Sequence, residues 1–381
     1  MPVEKITGVI KNYAWGTPGG IDAVRGLPSS GNIQAEWWLG DHPAGEATIS
    51  RGAIPLSSFL ADQGAPSLGF LMKILTPSTP LSLQVHPTVA QAQAGFDAEE
   101  DAGIPRDAPH RVYSDRFAKP EVVVAVSGVF DALAGMAPDA TVHARIDTLV
   151  AAGLDANLAA RWREAVGSPR RDTVAWLLGG DPDAAALVDA LGAVATADPL
   201  LELLWSHYPG DAGCAVAMML NRVSLEPGEA LFLDAGQPHA YLSGVAVEIM
   251  APSDNVVRGG LTTKHVDVDQ LVAIGSFDPS PPPRVNPVAR GAGWVEYEPG
   301  DEAFSLHRVQ LPPDGERLGF RWGSDLTGPA VCVSIDQGAV LSLDGSVTEL
   351  ARGEACVVVG SGESSVCEVL PGSSLWIAHK R

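Results

Sequence analysis

The sequence predicts a mainly β protein, built as jelly-roll β-barrels and interrupted by an α-helical insert. Three features carry this expectation. Short apolar runs bounded by Gly, Pro and Asp recur through most of the chain, an Ala- and Leu-rich block sits in its middle, and one turn-into-strand unit occurs twice. At 381 residues the chain exceeds one ordinary core, so two or three domains are expected. Its 41 glycines and 30 prolines favour many turns.

In the first 138 residues the clearest strands are Phe70–Leu75, Leu81–His86 and Glu121–Val126. Residues 95–118, beginning Gly95-Phe96-Asp97-Ala98-Glu99-Glu100-Asp101, read as a long polar connection of a kind that is usually functional or disordered. From Asp139 to about Leu204 helical signals take over. Asp181-Pro182 and Asp198-Pro199 each set a capping Asp before a Pro at the first helical position. Asp172 is placed to open Thr173–Leu178, and Val142, Ile146, Leu149 and Val150 follow the helical period.

Strands are expected again at Ala215–Val223, Ala230–Asp234 and Val245–Met250, followed by a stiff Ser280-Pro281-Pro282-Pro283 linker and a further β region. The expected division is therefore 1–138 with 206–284 as one β unit, 139–205 as the insert, and 285–381 as a second β unit. The repeated unit is Leu225-Glu226-Pro227-Gly228-Glu229-Ala230 against Leu350-Ala351-Arg352-Gly353-Glu354-Ala355. Only the first copy is followed closely by a histidine, His239. The second runs on through Val359-Gly360-Ser361-Gly362 and is expected to bind no metal.

With 25 basic and 46 acidic residues the formal charge is −21, which disfavours nucleic acid and anionic membranes as partners. A few cations in one pocket can still hold an anionic small molecule, because charges beyond ~10 Å are screened. No apolar stretch approaches ~18 residues, and the N-terminus lacks an apolar signal core, so a cytoplasmic protein without membrane spans is expected. Cys214, Cys332, Cys356 and Cys367 form no CxxC pair and read as small buried hydrophobes.

The chemistry-bearing residues lie in three places. In Leu81-Ser82-Leu83-Gln84-Val85-His86-Pro87, strand alternation puts Ser82, Gln84 and His86 on one face and Leu81, Leu83 and Val85 on the other. Glu121 opens an otherwise apolar strand after Lys119-Pro120. The segment Gly228 to His239 matches the second cupin motif, with Asp234 in place of the usual Pro, Gly236 kept, and His239 aimed into the barrel. Two imidazoles, a carboxylate and an amide oxygen suit an open, catalytic divalent site, best Zn²⁺. His42, His110, His143, His207, His265, His307 and His379 lack such a frame and read as surface or satisfied structural residues.

Downstream lies Ser253-Asp254-Asn255-Val256-Val257-Arg258-Gly259-Gly260-Leu261-Thr262-Thr263-Lys264. With Asn12–Gly16, Glu36–Gly40, Leu81–Pro87, Lys119–Glu121 and Pro238–Gly244, this run resembles the type I mannose-6-phosphate isomerases. The blocks span residues 12 to 264, and the likeness fades beyond about 285. The resemblance implies Gln84, His86, Glu121 and His239 as ligands of one Zn²⁺, and Arg258 as a catalytic arginine. It puts Lys73, Ser82, Lys119, Glu248, Asp254 and Lys264 forward as substrate-pocket residues, and the acid–base group is left open among Lys119, Asp254, Glu248 and a metal-bound water. The departures, Asp234 and Gly259 where Ala is common, remove no reacting group.

The implied function is a zinc-dependent aldose–ketose isomerisation of mannose 6-phosphate and fructose 6-phosphate by proton transfer through an enediol. The expected partner is a small sugar phosphate, and the chain is expected to be a monomer or weak homo-oligomer. Two other readings stand beside it: a cupin metalloenzyme of different reaction, such as an oxygenase or another sugar-phosphate isomerase, and a non-catalytic cupin sugar-binding module. An oxygenase has no need of Lys73, Lys119 and Arg258 around a phosphate, and a sensing module could dispense with Arg258 and the ligand set.

Overall fold

The computed structural model describes residues 3–298, 304–321, 324–360 and 365–381. Sheet predominates. Among the described residues the strands form a ten-stranded sheet, a nine-stranded sheet, a four-stranded sheet and a two-stranded one, with antiparallel pairing between the strands. The ten-stranded sheet is centred on the 16-residue strand Glu121–Met136, which pairs with Leu220–Leu225, Ala230–Leu233 and His239–Met250. Residues on both sides of the helical segment therefore build one sheet.

Alternation along these strands sorts the side chains. Val122, Val124, Val247, Ile249, Met72 and Ile74 are fully buried against Val331, Val333, Val357 and Trp376 of the nine-stranded sheet. Their neighbours Glu121, Lys73 and Glu248 point to the opposite face, because successive strand residues do. Residues at 3–7, 48–49 and 54–55 extend the nine-stranded sheet, with Val3–Thr7 pairing with the strand Glu354–Val358, so that sheet spans both ends of the chain.

Helices fill 139–207. Asp181 and Asp198 cap theirs as expected, each side-chain oxygen accepting from two backbone N–H groups. The third start differs. The helix runs Arg170–Leu178 behind Pro169, with Asp172 in its first turn, where the helix dipole also favours an acid. Gly95–Asp101 is likewise helical, the end of a helix Val89–Asp101 opened by a Thr88–Gln91 capping box. Its weak amphipathicity hid it in the sequence. The Ala215–Val223 run splits into a helix Gly213–Ala217 and a strand Leu220–Leu225, since its first part, through Leu220, is buried on all sides and carries no period to mark the helix.

The repeated unit is real at the backbone level. Gly228 and Gly353 both take left-handed φ (92° and 79°), and Glu229 and Glu354 each accept from the N–H three residues back, of Glu226 and Ala351. Ser361 and Gly362 lie outside the described residues. All four cysteines are buried as free thiols. His307 and His379 are satisfied core residues of the nine-stranded sheet, their Nε2 atoms 2.9 Å apart. Trp294 Nε1 donates to His307 Nδ1, so His307 donates from Nε2 and His379 from Nδ1, to the Lys380 carbonyl. Among the described residues no helix is long and apolar enough to cross a membrane.

Candidate active site

Glu121 begins its strand directly beside Met250, and His239 begins the neighbouring one opposite Ala134 and Gln84. Only Gln84–Val85 of the expected Leu81–His86 strand is extended in register. Leu83 and Val85 are still buried, but Leu81 lines the cleft instead, because alternation does not hold ahead of the short strand. The register carries His86, Glu121 and His239 into one fully buried cluster whose ligand atoms all lie within 4.8 Å of one another. Glu121 Oε1 is 3.5 Å from His86 Nε2, and Oε2 is 3.6 Å from His239 Nε2.

The imidazoles are set by backbone carbonyls. His86 Nδ1 is 2.8 Å from Asn255 O, and His239 Nδ1 is 2.9 Å from Gln237 O. Each therefore donates from Nδ1 and turns a bare Nε2 lone pair inward. His86 Nε2 is buried with no hydrogen-bond partner among the described residues. Burial, then the Lys119 ammonium, pushes the His86 pKa down; burial, then His86, pushes His239 to about 4. Both are neutral near pH 7, as metal ligands must be. Burial alone would raise the Glu121 pKa, but Lys119 and the two imidazoles hold it well below the usual range. The Gln84 amide lies 3.2 Å from His239 Nε2 and, turned about its last torsion, presents Oε1 to the same point. An orphaned nitrogen beside a second imidazole, a carboxylate and an amide fits a divalent cation with an open position.

Glu121 of the cluster, with Gln84, lines a cleft of about 480 Å³. Lys73, Ser82, Gln84, Lys119, Glu121, Glu248, Asp254, Arg258 and Lys264 all line it, so every residue expected at the site borders one cavity or lies beneath it. Lys119 contacts Glu121 directly. Cross-strand register sets Trp38, Lys73 and Glu248 in one row. Lys73 Nζ stands 3.2 Å from Glu248 and 3.8 Å from Glu36, and these carboxylates outweigh burial and keep it cationic. Burial and the Glu121 charge raise the Glu248 pKa. Arg258 and Lys264, by contrast, have no ion-pair partner among the described residues, and burial lowers both pKa values. An anion is the natural complement.

Several contributors were assigned no role from the sequence, although most lie in the blocks that carry the resemblance. Tyr241 donates to Glu248 at 2.9 Å and approaches Glu121 at 3.4 Å; its place two residues after His239 on one strand face was the available signal. Glu36 and Trp38 line the cleft and are hydrogen-bonded to one another. His42, read as bland, is buried 3.7 Å from Asp254. Asn255 is fully buried; its side chain accepts from the N–H of Ser114 and Asp115 and donates to the carbonyls of Asp115 and Phe117. Asp115 returns the contact through Ser253 Oγ and the Asp254 N–H. Nothing local in the sequence marks such cross-loop bonds.

Comparison with known proteins matches this geometry. The family profile "Phosphomannose isomerase type I, catalytic domain" matches residues 3–138. The mannose-6-phosphate isomerase of Salmonella typhimurium is 33% identical over 395 residues, covering 96% of each chain, and that of Homo sapiens is 32% identical over 324 residues, covering 73% of this chain and 74% of its own. A crystal structure of the Salmonella typhimurium enzyme bound to its substrate fructose 6-phosphate and zinc superposes with a TM-score of 0.86 at 29% identity, covering 100% of this chain and 99% of that one. The chain belongs to the type I phosphomannose isomerase family.

Proposed function

We propose that this chain interconverts mannose 6-phosphate and fructose 6-phosphate, with one Zn²⁺ held by Gln84, His86, Glu121 and His239. The observation that carries the reading is the buried His86 Nε2, without a hydrogen-bond partner among the described residues, facing a second imidazole and a carboxylate beneath a cleft lined by four cations. Bound there, the ion would supply Lewis-acid polarisation of the sugar's C1 and C2 oxygens.

The remaining work falls to side chains. Arg258 and Lys264, cationic and without an ion-pair partner among the described residues, take the phosphate or the charge that develops during proton transfer. Lys119 and Asp254 both border the cleft and can hold or pass the proton moving between C2 and C1, a role worth typically ~10²–10⁴-fold. Lys73, Ser82 and Glu248 offer donors and acceptors to sugar hydroxyls. Tyr241 and Glu36 keep Glu248 and Lys73 oriented. In this reading the ten-stranded sheet is the wall of a cupin-type barrel and the C-terminal β region a second, metal-free one.

The test is a coupled assay of fructose 6-phosphate formation from mannose 6-phosphate, before and after chelation. Activity lost with the chelator and restored by Zn²⁺ is expected. A chelated, metal-free enzyme that still turns over would overturn the proposal.

A further inference from the structure

The helical segment reaches the cleft at its C-terminal end, and there it holds the loop carrying Arg258 and Lys264. Tyr208, just past the helix Pro199–His207, lines the cleft and donates to the Pro80 carbonyl at 2.7 Å. Three residues on, Asp211 Oδ1 accepts from Gly213 N at 2.7 Å and Oδ2 from Thr262 N at 3.1 Å. One carboxylate thus joins the turn after the helices to the segment between Arg258 and Lys264.

That segment is one that needs holding. Leu261 has φ 53° and Gly260 φ 116°, positive values that a Cβ disfavours and that only glycine adopts freely. The two backbones also touch: a Cβ on Gly260 would meet Gly213 Cα at 2.5 Å, so glycine is required at the crossing. The Leu261 side chain is buried in the same core as the helices. Beyond it, Lys264 N donates to Thr262 Oγ1 at 3.1 Å, so the Thr262 position carries over to the lysine.

We infer that Asp211 is a positioning residue for anion binding: by fixing Thr262 and the crossing of Gly213 with Gly260, it sets where Arg258 and Lys264 meet the substrate's phosphate. This rests on the proposed assignment of those two cations to the phosphate. The His86 and His239 rings hang on other supports, the carbonyls of Asn255 and Gln237, and of the four expected ligands Gln84 alone pairs with the loop, opposite Arg258, so most of the hold on the ion is independent of Asp211.

The test uses the zinc-loaded full chain with Asp211→Ala, Asp211→Asn and Asp211→Glu. Calorimetric titration with inorganic phosphate reads the anion site without turnover, chelator competition reads zinc affinity, and steady-state kinetics separate KM from kcat. For Asp211→Ala, phosphate affinity is expected to fall and KM to rise by about tenfold or more, from displaced binding groups. Zinc affinity is expected to stay within about twofold of the parent, below the 10–100-fold typical of lost ligand support. Asp211→Glu, which keeps two acceptor oxygens, recovers part of the loss. Unchanged phosphate affinity and KM overturn the inference, as does a fall in zinc affinity parallel to the fall in phosphate affinity. Should Asp211→Ala not fold, Asp211→Asn, retaining one acceptor, carries the same comparison. A parent protein that binds phosphate in an Asp211-dependent way yet isomerises nothing would refute the proposed function and leave this inference standing.

Discussion

Replacing Asn255 with Ala tests whether the loop joining Ser114–Phe117 to Ser253–Asn255 governs the metal cluster. The Asn255 side chain is fully buried and serves the N–H groups of Ser114 (2.7 Å) and Asp115 (3.2 Å) and the carbonyls of Asp115 and Phe117 (2.9 Å each). Phe117 O, 3.3 Å from Ser253 Oγ, keeps a partner once that hydroxyl's single proton turns to it from Asp115 Oδ1, so three backbone groups lose their partner outright. Water reaches part of this loop, and at ~1 kcal/mol net per bond the fold loses about 3 kcal/mol. The effect on the ion is separate. The Asn255 carbonyl is what His86 Nδ1 donates to, and a loosened loop lets the ring turn. Loss of such support lowers metal affinity typically ~10–100-fold. Titrating metal-free protein with Zn²⁺ against a chromophoric chelator measures this, and thermal melts of the metal-free form measure the rest. A variant that melts lower but binds zinc as tightly as the parent would show that the loop only stabilises the fold.

Further outcomes follow from the same geometry. Arg258→Ala is expected to abolish turnover, by roughly 10²–10³-fold or more as for other lost charge-stabilising groups, while zinc stays bound; metal analysis with the coupled assay checks both halves, and retained activity removes the arginine's role. Glu121→Gln leaves the Lys119 ammonium buried beside a neutral amide, so the metal-free variant should unfold about 3–5 kcal/mol more easily in denaturant. An unchanged midpoint would mean that the ion pair is not felt without the metal. The His307–His379 pair makes stability depend on acidity. Burial, then His379, lowers the His307 pKa from 6.5 to about 3, with Arg381 and Arg290 adding and Glu296 opposing. In that window the unfolded chain binds the proton and the folded one does not, so stability falls as pH drops from 6.5 toward 3. His307→Phe should be less stable at pH 7 yet lose less between pH 6.5 and 4; parallel melting curves for variant and parent would count against it.

Most of the candidate site was legible in the sequence because its pieces are local. Gln84 and His86 alternate on one short segment, Glu121 stands two residues after Lys119, and the glycine frame from Gly228 leads to His239. The Ser253–Lys264 run is continuous, and Asp181 and Asp198 announce their helices through Pro at the next position. Each of these signals is a spacing along the chain, set by strand alternation, turn geometry or helix capping.

Contacts between distant segments were decided only by the tertiary structure. Pairing of Val3–Thr7 with the C-terminal sheet, the grip of Asn255 on Ser114–Phe117, the approach of His42 to Asp254 and the bond from Asp211 to Thr262 join residues from 51 to more than 300 positions apart. The helix through Gly95–Asp101 was hidden for a related reason: its amphipathicity is weak, and packing rather than pattern decided it. Register and loop closure depend on which surfaces bury one another, and no spacing along a single segment encodes that partner.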